Sequence, residues 1–154
     1  MKKFLLLCIS MVIFGCSSSR NSSNAKRDIY NDVLNLGHQM IDILNKPNHE
    51  ELLSHFDKSE STIYLSDGVR VQGYDNIKTI IESLPNTRKK LRVTVEKEQL
   101  NVLSENAAVY MVEFNENTYD SNNKIVHRRG VWSAVYKWVD NNYKIVSFHE
   151  SHVN

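Results

Sequence analysis

The second half of the sequence most constrains the fold, because four strand patterns follow one another there with only short segments between them. Apolar and polar residues alternate over 91–99 and 107–116, a longer strand is predicted over 125–139, and the last strand covers 143–151. The turn at 140–142 has no room for a helix. Consecutive strands joined in this way pair as antiparallel neighbours in one sheet.

The first half of the sequence predicts three helices. Apolar residues recur at helical spacing over 28–45. Asn48, followed by Glu51, forms a capping box at the start of a short second helix. A third helix begins near Asp75 and ends at Pro85. A block of helices and a block of sequential strands are typical of the α+β class.

A hairpin interrupts the helices. Strand patterns at 62–66 and 69–72 flank the dipeptide Asp67-Gly68, which is a strong signal for a two-residue turn. This turn fully explains an aspartate at position 67.

Both faces of the strand at 125–139 are apolar. One face carries Trp132, Ala134, Tyr136 and Trp138, and the other carries Val131, Ser133 and Val135. In a strand with one solvated face, apolar and polar residues alternate more strictly than they do here. We therefore expect helices on one face and a second copy of the chain on part of the other, which gives a homodimer through the sheet. Burial of both faces by sheet curvature alone is the alternative.

The N-terminus has the parts of a bacterial export signal. Two lysines precede an apolar run over 4–14, which is shorter than the roughly 20 residues that span a bilayer. The run ends in Ile13-Phe14-Gly15-Cys16, which resembles the lipobox of bacterial lipoproteins. The resemblance implies that residues 1–15 are a removed signal peptide. It also implies that Cys16 carries a diacylglyceryl group and an acyl chain such as palmitate.

Polar residues over 16–27 predict a flexible tether between the lipid and a folded domain over 28–154. Such a protein is expected in the bacterial cell envelope. By resemblance to Gram-negative lipoproteins, a non-acidic residue at Ser17 indicates the outer membrane, with the domain facing the periplasm.

Composition excludes several classes of function. The only cysteines are Cys8 and Cys16, so the domain has neither disulfides nor cysteine-based zinc sites. Without the two lysines of the signal peptide, 17 basic residues remain of the original 19, against 18 acidic residues. This balance speaks against a nucleic-acid partner. No glycine-rich phosphate loop is present, and no cofactor is expected.

The chain resembles the nuclear transport factor 2-like superfamily, in its SnoaL-like branch. The resemblance rests on the order of elements, on Asp67-Gly68 followed by Val71-Gln-Gly73 and a helix, and on the tail over 143–151. The tail is also similar to that of the calcium/calmodulin-dependent kinase association domain. The resemblance implies a cone-shaped α+β fold, with three N-terminal helices packed on a curved, mostly antiparallel sheet. This fold hosts isomerases, cyclases, dehydratases and domains without catalysis.

The resemblance implies a pocket between helices and sheet, in which the enzymes use a carboxylate as base. Asp67 lies near the position of that base, and Tyr64 is a candidate donor beside it. Glu113 lies mid-strand among apolar residues, where it faces either a cavity or a solvated edge. Trp132 and Tyr136 line an aromatic pocket or belong to the core.

The tail also gives an expectation about the ligand. Aligned on it, Glu113 and Glu150 fall at two positions where the kinase association domain has pocket arginines. The resemblance therefore implies a neutral or cationic small molecule rather than an anion. His149 and Ser151 are expected to be structural, with the imidazole hydrogen-bonded. His149 and His152 point to opposite faces of a strand, so no metal site is predicted.

The segment at 127–129, with one histidine and two arginines, is expected to be a solvated edge of the sheet. Three functions remain open. A membrane-held module that binds a small molecule or a protein partner without catalysis predicts a pocket without a convergent acid and base; we favour it. An isomerase, dehydratase or cyclase acting by proton abstraction predicts Asp67 or Glu113 in an apolar cavity beside a donor. A structural partner in envelope assembly predicts no ligand cavity.

Overall fold

A computed structural model describes residues 22–46, 48–83, 92–119, 122 and 124–153. The predicted signal peptide, Cys16 and the predicted end of the third helix at Pro85 lie outside the described residues. Within them, no helix combines the length and the apolar character that crossing a membrane requires.

Three helices precede or interrupt the strands, as predicted. They are α1 (Ser22–Asn45), α2 (His49–Ser54) and α3 (Tyr74–Ser83). α1 begins six residues before the predicted start, so its backbone is helical over part of the segment predicted to be a tether. At the start of α2, the backbone N–H of Glu51 donates to Asn48 Oδ1 at 3.2 Å, which confirms the predicted cap.

The described residues form six strands in one mixed sheet. They are β1 (Ile63–Ser66), β2 (Val69–Gln72), β3 (Arg92–Ser104), β4 (Ala107–Tyr119), β5 (Ile125–Val139) and β6 (Asn142–Val153). Their order across the sheet is β2-β1-β6-β5-β4-β3. All neighbours are antiparallel except β1 and β6, which run parallel. The α+β class and the mostly antiparallel sheet are therefore confirmed.

The hairpin turns have the predicted chemistry. Asp67 and Gly68 both adopt positive φ, at 47° and 85°, between β1 and β2. Asp140 and Asn141 do the same between β5 and β6, at 46° and 64°. Two consecutive positive φ values match the right-handed twist of the paired strands, and aspartate, asparagine and glycine tolerate them best.

The helices cover one face of the sheet. On β4 and β5 this inner face carries Tyr110, Val112, Phe114, Trp132, Ala134 and Tyr136, all buried. Gly37 of α1 lies against the ring of Tyr110, and a Cβ atom there would come within 2.7 Å of Tyr110 Cζ. Trp138 departs from the predicted pattern because it lies next to the β5–β6 turn, where its ring is 43% exposed and packs edge-on against Tyr143.

Candidate functional site

A cavity of about 360 Å³ lies between the inner face of the sheet and the helices. This volume is within the range of small-molecule sites. Apolar residues from every layer line most of it: Met40, Leu44, Leu52, Phe56, Val71, Ile80, Ile81, Val93, Phe114, Trp132 and Phe148. The exposed side chains of Asp67, Val69 and Arg128 also line it, so the cavity opens at the β1–β2 turn.

Aromatic rings form one wall of the cavity. Tyr64 stacks on Phe148 with 5.5 Å between ring centroids, and Trp132 stacks on the same ring at 5.6 Å. Tyr64 and Trp132 both line the cavity. The indole Nε1 of Trp132 is buried and has no hydrogen-bond acceptor in the described part of the chain. A ligand that accepts a hydrogen bond would satisfy this donor.

Asp67 and His152 meet at the open end of the cavity. The backbone N–H of His152 donates to Asp67 Oδ1 at 2.9 Å, and the imidazole Nδ1 lies 3.0 Å from Oδ2. Since an ionised carboxylate only accepts hydrogen bonds, Nδ1 carries a proton. In the neutral imidazole, this leaves the lone pair on Nε2.

Two further carboxylates face this Nε2 atom. Glu150 Oε1 lies 3.4 Å and Glu116 Oε2 lies 3.6 Å from it. The Glu116 side chain is 4% exposed and that of His152 is 11% exposed. Phe114 packs edge-on against the imidazole, with 5.7 Å between ring centroids. The cavity therefore combines an apolar body with a buried group of one imidazole and two carboxylates.

The hydrogen bonds from the backbone and ring of His152 hold the pKa of Asp67 below its usual value of 3.8. Arg128 acts in the same direction through its charge. Asp67 is therefore ionised near neutral pH. It orients His152 rather than serving as a base with a raised pKa in an apolar pocket.

Glu113 does not face the cavity. It lies on the outer face of the sheet, 3.7 Å from Lys97 Nζ and 3.4 Å from Arg129 Nη2, and its side chain is 41% exposed. The sequence left two positions open for Glu113, one facing a cavity and one facing solvent, and the structure places it in the solvated position. Side chains alternate along a strand, so a residue between the buried Val112 and Phe114 points outward.

The other predicted residues divide between faces. Glu150 lines the cavity. Tyr136 is fully buried in the core and is not among the cavity-lining residues, and burial raises the pKa of its phenol. His149 is exposed on the outer face and forms no side-chain hydrogen bond with any described residue, in contrast to the bonded histidine that was expected. Ser151 likewise lies on the outer face, two residues along the same strand.

Glu116 was not predicted from the sequence to be a site residue, and His152 was predicted only to lie on the opposite face of the strand from His149. A signal for both was present. Glu116 continues the alternation of Tyr110, Val112 and Phe114, so the sequence pattern places its carboxylate on the buried face of the sheet. His152 continues the alternation of Phe148 and Glu150 in the same way.

Residues 30–154 match the family of the calcium/calmodulin dependent protein kinase II association domain. The chain belongs to this family. No functionally curated protein matches the sequence.

Solved structures share the fold at low sequence identity. The association domain of C. elegans CaMKII is 14% identical over 83% of this chain and 98% of its own, with a TM-score of 0.65. A candidate dehydratase of the NTF2-like family from Streptomyces avermitilis is 12% identical over 84% of this chain and 99% of its own, with a TM-score of 0.72. A hexachlorocyclohexane dehydrochlorinase from Novosphingobium barchaimii is 10% identical over 86% of this chain and 91% of its own, with a TM-score of 0.72. The fold is therefore the nuclear transport factor 2-like cone.

The sequence predicted that Glu113 and Glu150 would take the places of two pocket arginines of the kinase association domain, and the structure places one of these two glutamates in the cavity. Glu150 lies in the cavity as the alignment of the tail implied, whereas Glu113 lies outside. Glu116, three residues further along β4, faces the cavity instead.

Proposed function

We propose that this protein is a lipid-anchored domain that holds a small molecule in the cavity of its cone. The observation that supports this function is the apolar cavity of about 360 Å³ with a compact polar group at its open end. Of the three hypotheses, envelope assembly alone required no cavity, so the cavity argues against it. The imidazole and two carboxylates at the open end differ from the pocket without a convergent acid and base that a purely binding module predicted, so catalysis stays a second candidate.

The lining defines the class of ligand. The aromatic and aliphatic walls favour an apolar body. Glu116 and Glu150 favour a neutral donor or a cationic group at its polar end, since an anion would be repelled. A cation at this end would also lie near the faces of the aromatic wall, which attract positive charge.

Native mass spectrometry of the chain without its lipid anchor, purified from the periplasm, tests this function. We expect one extra small molecule for each chain. Trp138→Phe removes the exposed tryptophan and leaves Trp132 as the only indole, so its fluorescence should respond to neutral apolar probes such as N-phenyl-1-naphthylamine. Ile80→Phe, which narrows the cavity, should weaken this response. Equal responses in both proteins, with no co-purified molecule, would contradict the proposal.

A second candidate function is catalysis by proton transfer, of isomerase or dehydratase type. The Asp67–His152 hydrogen bond favours it, because it presents the lone pair of Nε2 toward the cavity as a general base requires. With the co-purified ligand in deuterated water, His152→Asn should abolish exchange of an acidic C–H, and His149→Asn on the outer face should not. Equal exchange in both variants would exclude His152 as the base.

We further propose that Cys16 carries the lipid that holds the domain at the periplasmic face of the outer membrane.

Membership of an association-domain family suggests oligomerisation. The apolar outer face offers a surface for a homodimer, since Val131 is 43% exposed there in a single chain. Light scattering should give a dimer mass for the wild type and a monomer mass for Val131→Glu. Val69→Glu, which adds a charge at an exposed valine of the edge strand β2, is the control. A monomeric wild type would contradict this interface.

A further inference from the structure

We propose that His152, Glu116 and Glu150 bind a divalent first-row transition metal ion at the open end of the cavity. One ligand atom from each of the three residues lies within 4.8 Å of the other two. Imidazole and carboxylate groups are common ligands of such ions. Such a metal site would exist whether or not a small molecule fills the cavity.

The spacing of the ligand atoms supports this assignment. The separations of 3.4 Å and 3.6 Å from Nε2 are longer than good charge-assisted hydrogen bonds, and Nε2 has no hydrogen-bond partner among the residues that the structure describes. Ligand bonds of about 2.1 Å in a tetrahedral site give about 3.4 Å between neighbouring ligand atoms. The two separations therefore match the edges of a metal site better than they match hydrogen bonds.

The burial of Glu116 gives a second, independent reason. Its side chain is 4% exposed, it lines the cavity, and its only ion pair within the described residues is the long one to His152. None of the described lysines or arginines forms an ion pair with it, although Arg128 lies opposite it on β5. A buried carboxylate without a close partner is costly, and a bound cation would remove that cost.

Asp67 interacts with the imidazole nitrogen that does not face the proposed metal ion. Metal-binding histidines usually donate their second ring N–H to a carboxylate, which fixes the tautomer and directs the lone pair to the metal. Asp67 receives Nδ1–H at 3.0 Å and leaves Nε2 for the ion. Three protein ligands leave a fourth position for water, and the bound ion would take the place of a cationic group of the small molecule beside Glu116 and Glu150. Because the metal occupies the lone pair of Nε2, His152 cannot also be the general base.

The test uses the full-length chain in detergent, stripped with a chelator and titrated with zinc chloride by calorimetry near neutral pH. We expect one zinc ion per chain. Binding should be at least about 100-fold weaker in Glu116→Gln and in His152→Asn, and about 10- to 100-fold weaker in Asp67→Asn. Glu113→Gln and His149→Asn, which alter the same residue types on the outer face, should bind as the wild type does.

Circular dichroism identifies any variant that does not fold, and Glu116→Gln, which keeps the shape of the side chain, is then decisive. The same zinc affinity in all five variants, or no zinc bound by the wild type, would overturn the proposal. Either result would leave the response of Trp132 to apolar probes unchanged, so failure of the metal site is distinguishable from failure of the ligand cavity.

Discussion

Asp67 and His152 are separated by 85 residues in the sequence, yet one carboxylate binds both the backbone N–H and the imidazole of this histidine. The side chain of a turn residue thus fixes the end of the last strand and sets the tautomer of the only histidine that lines the cavity among the described residues. The parallel pairing of β1 with β6, in which Ser66 lies opposite Glu150, brings the two residues together.

Replacing Asp67 with asparagine tests this link through the pH dependence of stability. The pKa of Asp67 is lowered in the folded state, so its contribution is fully present above about 3.8 and is lost as the pH falls below that value. We expect Asp67→Asn to reduce the free energy of unfolding by no more than about 1 kcal/mol near neutral pH, because the side chain is half exposed. Urea titrations at several pH values should show this difference vanish in acid.

Asp140→Asn is the matched control. Asp140 occupies the same first position of a two-residue turn with nearly the same φ, so both substitutions change turn propensity equally. The Asp140 variant should differ little from the wild type at any pH. If both variants lose the same stability with the same pH profile, the turn rather than the bond to His152 is responsible.

The sequence predicted the elements of this fold better than it predicted the site. Alternating strands, the asparagine cap and the Asp67-Gly68 turn are local signals, and each was confirmed within a few residues. α1 extends further than predicted because polar residues without periodicity can still continue a helix.

The site was less predictable because it depends on pairing between distant strands. Glu113 and Glu116 lie on the same strand, and only the parity of their positions separates an outer ion pair from a buried carboxylate. Two neighbours of His152 come from the β1–β2 turn and from β4, and no spacing within the sequence encodes their distances. Only Glu150, two residues before His152 on β6, follows from the alternation of the strand.

Replacing Glu116 with leucine should stabilise the metal-free protein. Its carboxylate is buried on the same face of β4 as Phe114 and has no close partner among the described residues, so a leucine there avoids desolvation and fills a similar volume. We expect a gain of about 1 kcal/mol in the free energy of unfolding, measured with chelator present. The outer-face control Glu113→Leu should lose about 0–1 kcal/mol. A loss in Glu116→Leu larger than in the control would show that the carboxylate is structurally satisfied.

Two buried tyrosines provide a matched comparison of hydrogen bonding. The Tyr110 hydroxyl donates to Glu98 at 2.5 Å and thereby lowers the pKa of that carboxyl, whereas the Tyr136 hydroxyl is buried without a partner in the described part of the chain. We expect Tyr110→Phe to cost about 1 kcal/mol in thermal or urea unfolding. Tyr136→Phe should be neutral or slightly stabilising. Equal losses would indicate that Tyr136 binds a buried water or a ligand.

Lipid attachment at Cys16 can be tested with the second cysteine as control. A chain expressed in bacteria with an alkyne analogue of palmitate should incorporate the label and sediment with the outer membrane. Cys16→Ala should lose both, because two or more acyl chains on this residue are needed for stable membrane binding. Cys8→Ala, within the apolar part of the predicted signal peptide, should keep the label. Labelling that persists in Cys16→Ala would exclude Cys16 as the attachment site.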